Sequence, residues 1–266
     1  MSAEQILDAA NRFIAPDAEG VPTRPFPSLS VDGWVLPEQP AALLLQGESH
    51  RVPLLLGNNV QEFSFAHTSV ISNTAVEPAD QVRDRIRQDF GPEAPQAIVL
   101  YGLAHTDQPA ADPLLGTAGT QLMTDTYFRC PDTIAGEVLS AQGGSVWQYQ
   151  FERPLPGTGS KSTRHSGELP YVFGQAQLPG NKMMGASFGP TDASISELMQ
   201  TYWTNFAKTG DPNGQGVPAW PKVEANSPEL VRFTADGPVL AKNQRVPLCR
   251  LYEENLKAQL AKTGAR

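Results

Sequence analysis

Long apolar runs, clustered basic residues and metal-type histidine spacings are all missing from this sequence, and each absence removes a class of function. The longest apolar stretches, such as Ala41 to Leu45, fall far short of the roughly 20 residues that a membrane-crossing helix needs, so no membrane span is expected. The 20 Lys and Arg residues form no stripe or run and are outnumbered by 28 Asp and Glu, for a net charge of -8. Such a chain repels phosphate backbones, so no nucleic acid is expected as a partner, nor an anionic membrane surface. His50, His67 and His105 have no ligand spacing and no cysteine pair near them, so no metal and no other cofactor is expected. Met1-Ser2-Ala3-Glu4-Gln5 has no basic stretch leading into an apolar one, so these residues carry no legible signal peptide. Cysteine is scarce too: Cys130 and Cys249 stand 119 residues apart, and by themselves read as two buried free thiols.

What is present is globular. Hydrophobic content of 40% with 18% charged residues is enough for a real core, and 24 prolines and 23 glycines indicate many loops. Helical periodicity is expected over residues 2–14, 79–90 and 125–140, the last interrupted by Pro131. Asp32-Gly33 reads as a turn. The continuous apolar run Val52 to Gly57 predicts a strand buried on both faces, and the alternation in Val146-Trp147-Gln148-Tyr149-Gln150-Phe151 predicts another. Ser194 and Glu197 have the spacing of a capping box. After them Ile195, Leu198, Met199, Tyr202, Trp203 and Phe206 make one apolar stripe, which Gly210 ends. Asp236-Gly237 between two apolar segments predicts a hairpin, and Leu248, Leu251, Tyr252 and Leu256 mark a terminal helix. Alternating strands and helices point to an α/β sheet, and without a repeat or an obvious linker a single domain is the default.

Four segments, in this order, resemble the type B carboxylesterase and cholinesterase family of α/β-hydrolases. They are Asp32-Gly33 with Val52 to Glu62; Tyr127-Phe128-Arg129-Cys130-Pro131 with the strand that follows; His165-Ser166-Gly167-Glu168-Leu169-Pro170-Tyr171-Val172-Phe173-Gly174; and Tyr202 to Asn213 with Trp220-Pro221. The resemblance covers nearly the whole chain. It implies the later strands of an incomplete α/β-hydrolase sheet with flanking helices, residues 1–266 forming one partial domain. Family members hydrolyse carboxylic esters with a serine, a histidine and a glutamate, the serine first along the chain.

By resemblance His165 is the base and Glu62 its acidic partner. Taken alone, Glu62 would read as a surface carboxylate at a strand end and His165 as a solvated loop histidine. Glu62 also departs from the family pattern, which has an acidic residue before it and glycine after it, where this chain has Gln61 and Phe63; Phe63 is expected to crowd the turn. Glu168 resembles a carboxylate that supports the histidine, and reads equally as a loop acid.

The nucleophile is the missing part. Gly185-Ala186-Ser187-Phe188-Gly189 fits G-x-S-x-G, but it follows His165 instead of preceding Glu62, no buried strand leads into it, and Pro190 comes next. Ser187 is therefore rejected, and no nucleophile is expected in this chain. The family's serine and early strands would lie upstream of Met1, leaving an exposed apolar surface or sheet edge where they dock and an isolated chain with little or no activity.

The resemblance also implies that Cys130 and Cys249 form a disulfide. A bridge places the full-length protein in an oxidising compartment, secreted or periplasmic. The expected partner is a small-molecule carboxylic ester, once the missing part completes the site. A non-catalytic cholinesterase-like binding module is the alternative. Such a module has no need of Glu62 or His165.

Overall fold

The computed structural model describes residues 2–5, 31–62, 78–177, 185–225 and 229–262. Most of the helix expected over residues 2–14 falls outside these ranges, as do Phe63 and His67. The chain divides into two compact units, Met1–Pro40 and Ala41–Arg266. In the first, the Asp32 carboxylate accepts backbone N–H bonds from Trp34, Val35 and Leu36 at 2.8–3.1 Å, which makes the expected turn and holds its pKa below the usual value.

The first described elements are α1 (Pro40–Gln46), all but its first residue in the second unit, and β1 (Leu54–Asn59). Next come α2 (Ala79–Phe90), α3 (Ala94–Leu100), α4 (Ala118–Thr124) and α5 (Cys130–Ala141). β2 (Val146–Phe151), α6 (Leu169–Val172) and α7 (Pro190–Thr209) follow, then β3 (Glu229–Thr234), β4 (Gly237–Lys242) and α8 (Val246–Lys262). The strands form one sheet in the order β1-β2-β3-β4. β1 and β3 both run parallel to β2, and β3-β4 is the expected hairpin.

Alternation along β2 decides which layer each face meets. Trp147 and Phe151 join Ile195, Met199 and Tyr202 of α7, with Tyr171, Trp220, Val231 and Phe233, in an aromatic core on one face. On the other face Gln148 reaches Thr133 of α5, and Gly136 of α5 lies beside Val146. Helices thus cover both faces of a largely parallel sheet, the arrangement of an α/β fold. A second core, with Val82, Ile86 and Phe90 of α2, Tyr101, Leu122 and Leu248, ties α2 and α3 to α4 and α8.

Three local readings need correction. β1 is not buried on both faces: Leu54, Leu55 and Leu56 are only partly buried, because among the described residues β1 is an edge strand, paired on one side. α7 begins at Pro190, not at Ser194. Asp192 supplies the cap instead, its Oδ2 accepting the Gly189 N–H at 2.9 Å, while the Ser194 hydroxyl donates back to the Pro190 carbonyl. Nor does Pro131 interrupt the helix. The chain passes from α4 to α5 through one π turn, Asp125–Arg129, closed by the Cys130 N–H on the Asp125 carbonyl. The change of register falls just where a residue without an N–H follows.

Cys130, at the first residue of α5, is bonded to Cys249 in α8, with the Cα atoms 4.8 Å apart. Loop closure of this size stabilises by about 4–5 kcal/mol in the chain-entropy treatment. A double Cys130→Ser, Cys249→Ser variant should lose stability of that order in urea titration, and an unchanged midpoint would contradict a structural role. Gly57 is the tight point of the β1-β2 contact, where an added Cβ would lie 2.3 Å from the Tyr149 carbonyl oxygen and 2.5 Å from its ring. Gly57→Ala is expected to cost about 1–3 kcal/mol of unfolding free energy, the range for overpacking.

Candidate active site

β1 and β2 end at the same edge of the sheet, and the site is built from the loops that leave them. Beyond Asn59 the chain turns through Val60 and Gln61 to Glu62, and this turn is held from several directions. The Val60 N–H donates to the Phe151 carbonyl at 2.9 Å, and the Val60 carbonyl accepts from Arg129 at 2.8 Å. Gln61 donates to the Leu114 carbonyl, and the Glu62 N–H to the Thr124 hydroxyl at 3.0 Å. Arg129 and its ion-pair partner Asp125 are both fully buried, so the π turn carrying them acts as a fixed support.

The second loop leaves β2 and returns at His165. Its turn is tight: Ser166 has φ of 67°, and a Cβ on Gly167 would meet the Thr163 hydroxyl at 2.3 Å. The His165 backbone N–H donates to the Glu62 carbonyl at 3.3 Å, and His165 Nδ1 lies 2.7 Å from Glu62 Oε2. The imidazole is tilted against the Phe128 ring, with centroids 5.8 Å apart. Only 4% of the Glu62 side chain is exposed, against 35% of that of His165, so the acid is buried behind a ring that solvent reaches. Glu62 Oε1 accepts the Asn59 backbone N–H at 2.7 Å and the Asn59 side-chain Nδ2 at 3.4 Å. The same Nδ2 donates to Glu168 Oε2 at 2.5 Å.

The charges favour a protonated histidine. The hydrogen bond to Glu62 raises the His165 pKa most, burial opposes it, and the Glu62 and Glu168 charges add to the rise. Burial raises Glu168 as well, with the Asn59 hydrogen bond opposing. Asp132, on the first turn of α5, is pushed up to about 7 by burial and by the Glu62 carboxylate, with Arg129 holding it back. With Nδ1–H directed at a carboxylate, the lone pair of the neutral ring sits on Nε2, the arrangement of an imidazole able to accept a proton.

The structure therefore brings together Glu62, His165 and Glu168. Ser187 is elsewhere: it is exposed, its N–H donates to the Pro156 carbonyl at 2.8 Å, and its side chain lies beside Gly157. His50 and His105 are exposed, and among the described residues no three His, Cys, Asp or Glu side chains are grouped as a metal ion would require. No reading of the sequence assigns a role to Asn59, Thr124, Arg129 or Asp132. Asn59 and Arg129 fall inside the quoted motifs, but their partners lie up to 109 residues away, and no local pattern encodes them.

A model of the carboxylesterase family matches residues 1–249. The chain belongs to the carboxylesterase family. It is 30% identical over 216 residues to Carboxylesterase 1E of Rattus norvegicus, covering 75% of this chain and 36% of that protein. It is also 30% identical over 199 residues to Neuroligin-2 of Homo sapiens, covering 71% of this chain and 24% of that one. The chain thus spans about a third or less of the length of these relatives. Among solved structures, "PNB esterase" superposes with a TM-score of 0.70 at 24% identity, over 95% of this chain and 49% of that one. The fold is that of an α/β-hydrolase in part, and among the described residues no helix is long and apolar enough to cross a membrane.

Asp132 provides a test of this electrostatic picture. Its carboxyl holds a proton in the folded state up to about pH 7 and in the unfolded chain only to about 3.8, so the folded state binds more protons in between. Stability should therefore fall as pH rises across that window, with a slope of up to about 1.4 kcal/mol per pH unit from this group. Asp132→Asn should match the parent at pH 4 and exceed it at pH 8 in urea titrations. Equal stability at both pH values would show that Asp132 is not so perturbed.

Proposed function

We propose that this chain contributes the base and the acid of a Ser-His-Glu triad for hydrolysing carboxylic esters, and that the serine comes from outside residues 1–266. The observation that carries the reading is the 2.7 Å contact between His165 Nδ1 and Glu62 Oε2, made across 103 residues with the carboxylate buried. In this reading Nε2 takes the proton of the serine hydroxyl as its oxygen attacks the ester carbonyl. The imidazolium then returns the proton to the departing alcohol, leaving an acyl-enzyme that water hydrolyses by the same steps. Glu62 stabilises the imidazolium and fixes the ring. Without a serine no acyl intermediate forms, so the 266 residues alone do not turn over esters.

Related proposals follow from the same reading. Residues 1–266 are one partial α/β-hydrolase domain, and the open side of β1 is where the earlier strands pair. The ligand is a small-molecule carboxylic ester, not a nucleic acid. The Cys130–Cys249 bridge suits an oxidising compartment, so the longer protein is exported. The alternative, a non-catalytic binding module, has no use for an ordered carboxylate-imidazole pair, and the 2.7 Å contact favours the enzyme.

A serine-directed organophosphate should leave the purified chain unlabelled; labelling abolished by Ser187→Ala would overturn the assignment of the nucleophile. In-frame coding sequence upstream of Met1 should carry G-x-S-x-G after an apolar strand, and its absence would favour the binding module. In a product that includes that segment, His165→Ala should lower kcat/KM by about 10³-fold or more.

A further inference from the structure

We propose that Asn59 is a positioning residue, which holds Glu168 as a second carboxylate beside the Glu62–His165 pair; the inference rests on the triad reading above. One amide nitrogen serves two acids from distant segments, donating to Glu168 Oε2 at 2.5 Å and to Glu62 Oε1 at 3.4 Å. The residue is 2% exposed, and its Oδ1 is buried without a hydrogen-bond partner among the described residues. That orphaned acceptor shows what sets the amide's orientation. Turning the amide over would satisfy neither carboxylate and would aim a carbonyl at both, so the two acids dictate the rotamer at the expense of Oδ1.

The consequence is electrostatic. Two carboxylates close to one imidazole repel each other, and a buried one relieves the repulsion by taking a proton or by turning toward water. A donor shared between them offsets that tendency and keeps Glu168 charged and in place. Burial raises the Glu168 pKa and the Asn59 hydrogen bond opposes the rise, while the Glu168 charge in turn raises the pKa of His165. Among the described residues, the other charged groups in this electrostatic cluster are Asp132, which Glu62 acts on, and Arg129, which opposes the rise at Asp132; the Tyr149 hydroxyl feels the charges of Glu168, Asp132 and Glu62. None of them bonds to the Asn59 amide.

The test is the titration of His165 in the 266-residue chain, followed by NMR of its imidazole protons in the parent, Asn59→Leu, Glu168→Gln and the double variant. Leucine keeps the approximate volume and removes the donor. Asn59→Leu should lower the His165 pKa by as much as Glu168→Gln does, and the double variant should go no further than either, because both remove the same charge. A titration unmoved by Asn59→Leu, or two shifts that add, would overturn the proposal. If the leucine variant does not fold by far-UV circular dichroism, Asn59→Ala serves in its place and is read in the same way. The titration needs no turnover, so organophosphate labelling at Ser187 would refute the triad reading while leaving this measurement able to decide the role of Asn59.

Discussion

The parallel pairing of β1 with β2 is the constraint on which the candidate site depends. Because Leu54 pairs with Val146 and Asn59 with Phe151, both strands run the same way and end at the same edge. The loop carrying Glu62 and the loop carrying His165 therefore leave side by side. Antiparallel pairing would have sent them to opposite ends of the sheet. Binding sites in open α/β sheets form at the carboxyl ends of parallel strands for this reason. Gly57 is what lets the two strands close up here, since the Tyr149 ring and carbonyl occupy the space a side chain would need.

Pairing alone gives proximity, and the support beneath the turn gives the geometry. Arg129 reaches the Val60 carbonyl, Asp125 and Gln150 at once. Asp125 is shared in turn with Arg245 and the Tyr101 hydroxyl. Buried ions are costly unless each is fully partnered, and replacing them by apolar groups is often neutral or stabilising, so such a cluster is weak evidence for stability. It fixes direction instead. Arg129 sits in the π turn, one residue before the disulfide at Cys130, so a covalent link to α8 steadies the residue that holds the end of β1.

The same distinction between local and assembled features decides what the sequence could disclose. The β2 strand, the β3-β4 hairpin, α2 and the terminal helix were legible because alternation, turn residues and helical periodicity are local. α3 and α4 were not anticipated: each has 7 residues, too few for a periodic stripe, although Thr117 caps α4 through a hydrogen bond from the Thr120 N–H. The start of α7 misled because Ser194 and Glu197 have the right spacing, while Asp192 is the residue fixed by Arg153, Tyr171 and the Gly189 N–H. Glu62 and His165 were visible only through resemblance to a family, since 103 residues of separation carry no information of their own. Asn59, Arg129 and Asp132 act through contacts that exist only once the sheet has formed.

These residues together make an asymmetric electrostatic environment. Two carboxylates, Glu62 and Glu168, act on one imidazole, Asp132 feels the charge of Glu62, and Arg129 is largely committed to Asp125 and Val60. Burial raises Asp132 and Glu168, with the Glu62 charge adding to both, and the hydrogen bond to Glu62 raises His165. In the proposed triad, the imidazolium is the state that follows proton abstraction from an attacking hydroxyl. An environment arranged in advance to suit it needs no reorganisation at that moment, and preorganisation of this kind is where electrostatic catalysis gains most. A histidine tuned toward its charged form is a stronger base but is unprotonated in a smaller fraction of molecules, and the burial that opposes the rise in its pKa restores part of that fraction.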